Sequence, residues 1–331
     1  MKEIFILGAG ASHASAGTPL GRDLVWRYYQ DCSGLYDSKE DEKKHFKTLL
    51  SFLETEPEFK KYCESVEEMM NTQYIWELNV AKRYYVDELM KDLLKKNNDD
   101  AIKLIKRLTV EHITESGNGK GNQLYKDFGQ FLSEKSTSEV CVISLNFDCW
   151  LCEDIKKDIR FDYLLDFDDI DKSREFYKEN QGTSISLIKL NGSIDWESNS
   201  TTGKIKLSHK QIRPNDYYSG VEVEPFIFLP HQQKGVLMKP LWDRAKRELK
   251  QAFKLTIIGY SFPDYDEDIK RLLQESIDSR VELEVVDLAQ YLNKQGEIKI
   301  KYKKLFPNIA NVKFCFDGFQ KYLERTRRGR C

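Results

Sequence analysis

Short, mostly apolar runs recur along the chain, and each ends at a glycine or at polar side chains. They cover residues 4–7, 140–143, 184–190, 225–229, 255–258, 281–286 and 312–316. The first, Ile4–Leu7, is uninterrupted, as is typical of a strand buried on both faces of a parallel sheet. The recurrence of such runs predicts several strands of one sheet.

Helical spacing of apolar residues marks the stretches between these runs. It covers residues 20–30, 241–253 and 266–276, and a further amphipathic segment ends at Leu323. Residues 30–135 are rich in Lys, Glu, Asp, Leu and Tyr, again with helical spacing. The alternation predicts an α/β fold: a doubly wound, parallel, Rossmann-like sheet with a large helical insertion. We assign residues 1–30 and 136–324 to the α/β domain, 31–135 to the insertion and 325–331 to a basic tail.

The charge balance excludes few functions. The chain of 331 residues is 40% hydrophobic and 32% charged, with a formal net charge of −2. No field over the whole molecule therefore draws it to nucleic acid or to an anionic membrane. The one basic cluster comprises arginines 325, 327, 328 and 330, which we interpret as a solvated, frayed tail.

Cysteine usage and the length of the apolar runs predict a cytoplasmic protein. The seven cysteines are scattered and odd in number, unlike a disulfide framework. Cys149 and Cys152 form a CxxC pair, but a second pair that would complete a zinc site is missing. No apolar run approaches the ~20 residues that span a bilayer, and the N-terminus lacks a signal pattern. We expect neither a metal nor a membrane.

The first apolar run leads into a glycine turn, Gly8-Ala9-Gly10. A turn of this kind lets a pyrophosphate approach the backbone at the start of a helix. The third position of the usual dinucleotide fingerprint is His13 instead of glycine. A tight strand-to-helix turn without a ligand is the alternative interpretation.

Four later runs end in polar turns. Asn146 and Asp148 follow one, Asn191 and Gly192 the next, Gly259 and Ser261 a third, and Asp287 a fourth. The carboxyl ends of parallel strands meet at one edge of a sheet, where ligands bind. Taken singly, Asn146 is also a plain turn residue, and Asp148 is also a plain helix cap.

The ordered set of turns resembles the sirtuin-like family, in particular the bacterial sirtuin-like proteins of anti-phage defence. The matching stretches are GAGASHASAGTP at 8–19, SLNFD at 144–148, KLNGS at 189–193, GYS at 259–261 and Val286-Asp287. Leu229-Pro230, Lys234 and Leu241-Trp242 match the segment between the third and fourth of these motifs. The helical insertion carries no matching motif. The order of the motifs is more specific for the fold than for an activity.

The resemblance implies a role for each matching residue. Asn146 would lie beside the nicotinamide ribose and position water or substrate, and Asp148 would hold the nicotinamide end. The other residues implied to bind NAD are Gly8, Ala9, Gly10, Ser12, Pro19, Gly192, Gly259, Ser261 and Asp287.

Asn191 departs from the family pattern, because it stands where the catalytic histidine is expected. A histidine can accept a proton near neutral pH, and an asparagine amide cannot. Three explanations remain open. His231 or His13 substitutes as the base, the reaction proceeds by positioning and electrostatics, or Asn191 is an inactivating substitution.

The sequence also lacks the four-cysteine zinc module of protein-deacylating sirtuins, since only Cys315 and Cys331 follow Asn191. The resemblance therefore implies an NAD hydrolase that releases nicotinamide and ADP-ribose, with Asn146, Asp148, Asn191 and His231 as the candidate catalytic residues. A catalytically silent NAD or ADP-ribose sensor and an NAD-dependent protein-modifying transferase are the alternatives. A defence role implies control by a partner protein or by homo-oligomerisation.

Overall fold

The computed structural model of the chain describes residues 2–20, 24–25, 27–28, 40–57, 60, 86–117, 123–135, 139–151, 159–162, 183–198, 205–207, 225–289 and 291–328. The chain divides into two units. Unit 1 comprises Met1–Thr18, His112–Phe228 and Gln232–Cys331, and unit 2 comprises Pro19–Glu111 and Leu229–His231. These boundaries differ from those proposed from the sequence, and the domain assignment stays a prediction.

Ten strands are described. They are β1 (Lys2–Leu7), β2 (Val140–Ser144), β3 (Ile159–Asp162), β4 (Thr183–Lys189), β5 (Gly192–Ser198), β6 (Ile205–Leu207), β7 (Pro225–Ile227), β8 (Ala252–Ile258), β9 (Glu282–Val286) and β10 (Val312–Cys315).

Nine helices are described as well. They are α1 (Ala9–Ala16), α2 (Glu40–Thr55), α3 (Val86–Lys95), α4 (Asp99–Gly117), α5 (Gln123–Ser133), α6 (Gly235–Leu249), α7 (Glu267–Ser276), α8 (Leu292–Leu305) and α9 (Gly318–Arg327). None of these helices is both long enough and apolar enough to cross a membrane.

Seven of the strands form one parallel sheet in unit 1, in the order β10-β9-β8-β1-β2-β4-β3. From the central β1 the chain builds β2, β4 and β3 on one side and later β8, β9 and β10 on the other. This reversal places the topological switch point between β1 and β8, where α/β folds open a crevice at the strand carboxyl ends. The predicted doubly wound, Rossmann-like sheet is confirmed. Strand β3 was not predicted.

Helices cover both faces of this sheet. Phe5 of β1 packs edge-on against Phe128 and Phe131 of α5, with ring centroids 5.4 and 5.9 Å apart. Lys2, three residues earlier on β1, pairs instead with Glu248 of α6. Residues separated by an odd number along a strand point to opposite faces, so α5 and α6 lie on opposite sides of the sheet.

A second, antiparallel sheet follows β4 directly, with the order β6-β5-β7. Only one turn, at Leu190 and Asn191, separates β4 from β5. Strands β5 and β6 pair antiparallel, with Trp196 opposite Leu207 and Ser198 opposite Ile205.

Three predicted boundaries differ from the structure. The helix after β1 begins at Ala9, directly after Gly8, and not near residue 20. Ala252 and Phe253 belong to β8 and do not extend the preceding helix, because Lys2 of β1 already pairs with Ala252 in the sheet. Arg325 and Arg327 lie in α9, where Arg327 donates to the backbone oxygen of Asp127 at 2.6 Å.

The described part of unit 2 is mainly helical, as its sequence spacing predicts. The buried face of α3 consists of Val86, Leu89, Met90 and Leu93. In α4, Thr109 donates to the backbone oxygen of Ile105 and hydrogen-bonds the Tyr28 hydroxyl, both at 2.7 Å. A hydrogen bond between buried polar groups removes most of the cost of taking them out of water.

Candidate functional site

The parallel sheet brings five of the predicted turns to one edge. Because β9, β8, β1, β2 and β4 are consecutive neighbours, the residues after them follow the same order. Asp287, Gly259, Gly8, Asn146 and Asn191 therefore mark successive positions along the carboxyl edge of unit 1. This edge is where a doubly wound sheet binds its ligands.

Two glycine turns pack backbone to backbone at the centre of this edge. Gly8 N–H donates to Ile258 O, and Gly10 N–H donates to Gly259 O, both at 2.9 Å. A Cβ on Gly8 would lie 2.5 Å from Gly259 O. Gly259 has φ +63°, and its Cβ would lie 2.4 Å from the nitrogen of Ala11. The close contact between the turns accounts for these glycines without a ligand.

The same contacts decide which backbone donors of α1 can meet an anion. The Gly10 N–H is engaged by Gly259 O, and the Ala11 N–H is engaged by Gly8 O at 2.9 Å. Ala9 is exposed, and its N–H donates to none of the described residues. Among the described residues of this turn, Ala9 therefore offers the donor open to a phosphate at the positive end of the helix.

Ser12 is the centre of a buried hydrogen-bond network. Its hydroxyl donates to Asp148 Oδ2 at 2.6 Å and accepts from the Asn146 amide at 2.7 Å. The Tyr125 hydroxyl lies 2.8 Å away. The single hydroxyl proton of Ser12 forms the hydrogen bond to Asp148. The Tyr125 hydroxyl must therefore donate its own proton to Ser12. The Ser12 hydroxyl is thus saturated and holds Asn146 and Asp148 in place.

Asn146 presents an acceptor to the site. Its Nδ2 group uses both protons, one for Ser12 and one for the Gly8 backbone oxygen at 2.9 Å. Its backbone N–H donates to Ser144 Oγ at 3.2 Å. The side-chain oxygen Oδ1 accepts from no described residue, so it is the atom that can receive a hydrogen bond from water or a hydroxyl group.

Asp148 carries a buried carboxyl group whose Oδ2 atom accepts the hydrogen bond from Ser12. Burial raises its pKa above the ordinary value of 3.8, while the charge of Lys189 and the hydrogen bond from Ser12 oppose that rise. The Ser12 contact requires an unprotonated Oδ2. Asp148 therefore accepts on its Ser12 side, whichever of its forms is present.

The turn between β4 and β5 holds the loop after β2 at three successive points. Asn191 Nδ2 donates to Leu145 O at 2.9 Å, and Ile194 N–H donates to Phe147 O at 2.9 Å. Lys189 donates to Asp148 O. Asn191 thus fixes the backbone beside Asn146, and its own Oδ1 accepts from no described residue.

Gly192 is required by close packing within the second sheet. Its φ is +81°, and a Cβ there would lie 2.0 Å from Phe226 O. It carries no side chain and is buried, so it shapes the turn that presents Asn191. The absence of a side chain at Gly192 lets the β5 backbone pack closely against β7.

Two predicted residues lie on the β8 and β9 side of the edge. Ser261 is exposed, and its hydroxyl makes no hydrogen bond with a described residue. Asp287 is half-buried, its Oδ1 accepts from Leu288 N–H at 2.7 Å, and burial raises its pKa. Asp287 Oδ2 remains open to a hydroxyl donor such as that of a ribose.

The predicted histidines differ in their surroundings. His13 is exposed on α1, and its Nδ1 lies 2.8 Å from Thr18 O. A carbonyl oxygen only accepts, so Nδ1 carries the proton and Nε2 is the basic nitrogen. His231 is exposed at a left-handed position with φ 64°. His231 and Pro19 belong to unit 2, and their roles stay predictions.

Sequence reasoning missed Lys189 and Tyr125, which contact Asp148 and Ser12. Lys189 could have been noticed in the sequence, because it is a charged residue within the mostly apolar run 184–190. It also missed Tyr260, whose hydroxyl donates to Asp266 Oδ2 at 2.6 Å beside the Gly259 turn. Within the described residues, no group of three or more His, Cys, Asp or Glu side chains could hold a metal ion.

No protein-family model matches the chain, and no curated protein matches it. Similar solved structures include a Sir2 homologue in complex with NAD, with 12% identity, a TM-score of 0.46 and coverage of 100% of this chain and 91% of the other. A Sir2–p53 peptide–NAD⁺ complex has 13% identity and a TM-score of 0.48, covering 99% of this chain and 92% of the other. A mutant Sir2 homologue complexed with 2′-O-acetyl ADP-ribose has 12% identity and a TM-score of 0.49, covering 100% and 93%.

These similarities span the whole chain but do not establish membership of a family. The fold class rests on the strand order of the sheet itself.

Proposed function

We propose that this protein binds NAD at the carboxyl edge of its parallel sheet and cleaves the bond between nicotinamide and ribose with water. The observation that carries the proposal is the fixed pair Asn146 and Asp148, which Ser12 joins by hydrogen bonds of 2.7 and 2.6 Å. The pair follows β2, next to the switch point between β1 and β8.

The chemistry of the reaction fits a site rich in acceptors. Loss of nicotinamide leaves positive charge on the ribose, and fixed oxygen atoms stabilise such charge without reorganising. Asn146 Oδ1 would accept from the attacking water or a ribose hydroxyl, and Asp148 would support the nicotinamide side. On the other side of the edge, the Ala9 N–H suits a phosphate, and Asp287 Oδ2 suits the hydroxyls of the second ribose.

Because Asn191 cannot act as a general base, the proposed reaction must depend little on a base at this position. Its amide does not titrate near neutral pH, and its Nδ2 group is bound to Leu145 O. Cleavage by positioning and electrostatics alone is compatible with this side chain, since both effects can supply a large part of a rate enhancement. Asn191 then serves to hold the loop that carries Asn146.

Release of nicotinamide from NAD by the purified protein tests the proposal. Asn146→Ala removes the open acceptor and two internal contacts, so release should fall about 10²–10³-fold. Asn293→Ala is the matched control, because Asn293 is an exposed asparagine on α8 whose side chain, among the described residues, accepts only from the Lys294 N–H. An unchanged rate in a folded Asn146→Ala variant would show that the assignment is wrong.

A silent sensor of NAD or ADP-ribose is the second candidate, and Asn191 is the residue that favours it. Calorimetry would then show binding of either ligand without any turnover. Absence of binding to both ligands would exclude the sensor and the hydrolase together. A defence role for either form would require an off state, which we propose is set by a partner protein or by self-association.

A further inference from the structure

Lys189 ends β4 and is 1% exposed, although lysine side chains are almost never fully buried without a partner. Its ammonium group donates to the backbone oxygen of Asp148 and lies 3.4 Å from that of Phe147. Two carbonyl dipoles compensate a buried cation only in part, and its strongest compensation comes from a nearby negative charge. The carboxyl of Asp148, the residue whose backbone Lys189 contacts, is the group on which the Lys189 charge acts.

We propose that Lys189 is the positioning residue of the candidate site, fixing the backbone of Asp148 and keeping its carboxyl group in the charged form. Only the expected effect of Lys189 on NAD binding rests on the proposed function. The coupling between Lys189 and Asp148 belongs to the protein without ligand.

The proton count of the Ser12 network supports this role. Ser12 Oγ already accepts from Asn146 and Tyr125, so its own proton must go to Asp148 Oδ2. If Oδ2 were protonated, Ser12 would face a donor with no lone pair left for it. Asn146 would then lose the partner that fixes its amide. The network therefore keeps Oδ2 free of a proton, and the charged form of Asp148 meets this requirement without a proton on Oδ1.

Lys189 is the described charged group that acts on this carboxyl. Burial favours the neutral form of Asp148, and the groups that oppose burial are Lys189, the Ser12 hydroxyl and the backbone N–H groups of Asp148 and Trp150. The last three are neutral dipoles. Removing the charge of Lys189 should therefore raise the pKa of Asp148 further.

Lys189→Met tests the inference, because methionine keeps the length of the stem and removes the charge. In the ligand-free protein, ¹³C NMR of labelled aspartate carboxyls should show Asp148 titrating at higher pH, with Asp148→Asn providing the assignment. At pH 7, calorimetry should show NAD binding at least about tenfold weaker, with partial recovery at higher pH. Lys254→Met is the matched control, since Lys254 is another sheet lysine paired with Glu3 and Glu284. It should leave the Asp148 titration unchanged.

A folded Lys189→Met protein with an unchanged Asp148 titration would overturn the inference. If Lys189→Met does not fold, the reverse experiment decides. In Asp148→Asn protein labelled with ¹⁵N-lysine, loss of the carboxylate should shift the Lys189 Nζ resonance, and an unmoved resonance would overturn the inference. Absence of NAD binding in the unmodified protein would contradict the proposed function alone, because both NMR measurements use the ligand-free chain.

Discussion

The hydroxyl of Ser12 donates a hydrogen bond of 2.6 Å to the Asp148 carboxylate oxygen Oδ2, across 136 positions of sequence. Ser12 lies in the helix after β1, and Asp148 lies in the loop after β2. Parallel pairing of these two strands brings the side chains together. The bond couples the glycine turn to the polar loop, so one substitution should disturb both.

Ser12→Ala should therefore impair stability and ligand binding together. It removes the hydrogen bonds that Ser12 makes with Asp148, Asn146 and Tyr125, which should lower the free energy of unfolding by about 1–3 kcal/mol. Urea denaturation measures this change, and calorimetry with NAD measures the effect on binding.

Tyr125→Phe is the graded control for Ser12→Ala. It removes one of the two hydrogen bonds that Ser12 accepts and keeps the aromatic contact with Phe319, whose ring centroid is 6.4 Å away. Its cost should be smaller than that of Ser12→Ala. Equal costs for the two variants would show that Ser12 does not organise the network.

The strands of the main sheet could be predicted because their signal is local. Ile4, Phe5, Ile6 and Leu7 are almost fully buried, and such a run has few alternatives to a central strand. The order of the polar turns then followed from the rule that parallel strands end at one edge. Strand β3 carries Arg160 and Asp162 within four residues, so its sequence lacked that signal.

The hydrogen bonds of the site could not be predicted, because they depend on distant pairings. Nothing local shows that Tyr125 of α5 meets Ser12, or that Lys189 reaches the backbone of Asp148. The glycines illustrate the same limit. Gly8 and Gly10 match a phosphate-binding pattern, and their role in binding NAD stays a prediction; that they also accommodate the backbone of Gly259 could not be read from the sequence.

Asp148→Asn should change the pH dependence of stability. Burial raises the pKa of Asp148 above 3.8 in the folded protein, so the stability that its neutral form contributes is present below pH 3.8 and is lost as the pH rises through the folded pKa. Asparagine stays neutral and still accepts from Ser12 through Oδ1. The stability of the variant relative to the unmodified protein should thus increase as the pH rises from 3.8 through the raised pKa of the folded protein.

Asp278→Asn should show the opposite slope. Hydrogen bonds from Arg280 lower the pKa of this exposed carboxyl to about 2, so its contribution is present above the ordinary value of 3.8 and lost as the pH falls through the folded value. Urea denaturation of both variants across the pH range makes the comparison. Parallel slopes for Asp148→Asn and Asp278→Asn would contradict the burial argument.

Gly192→Ala should destabilise the turn that presents Asn191. At φ +81° an alanine is strained, and its Cβ would lie 2.0 Å from Phe226 O, so the loss should be about 2 kcal/mol or more. Gly296→Ala is the matched control. Gly296 lies within α8 with no atom within 4 Å of an added Cβ, so alanine should stabilise by about 0.5–1 kcal/mol. Thermal unfolding of both variants should shift in opposite directions, and a shift in the same direction would count against this account.

Asn191→His should raise the rate of nicotinamide release. Asn191 Nδ2 donates to Leu145 O at 2.9 Å, and the Nδ1–H of a histidine would be placed to make the same bond. Its Nε2 would then be an unprotonated base near neutral pH, worth about 10²–10⁴-fold in rate. Asn191→Ala is the control that loses the bond to Leu145 and adds no base, so it should not gain activity.

If histidine raises release and alanine does not, the missing base is what limits the site. If both remain inert while NAD still binds, the silent sensor is favoured. Rapid hydrolysis by the unmodified protein would show that no base is needed at Asn191, and His231 would then be the next residue to replace.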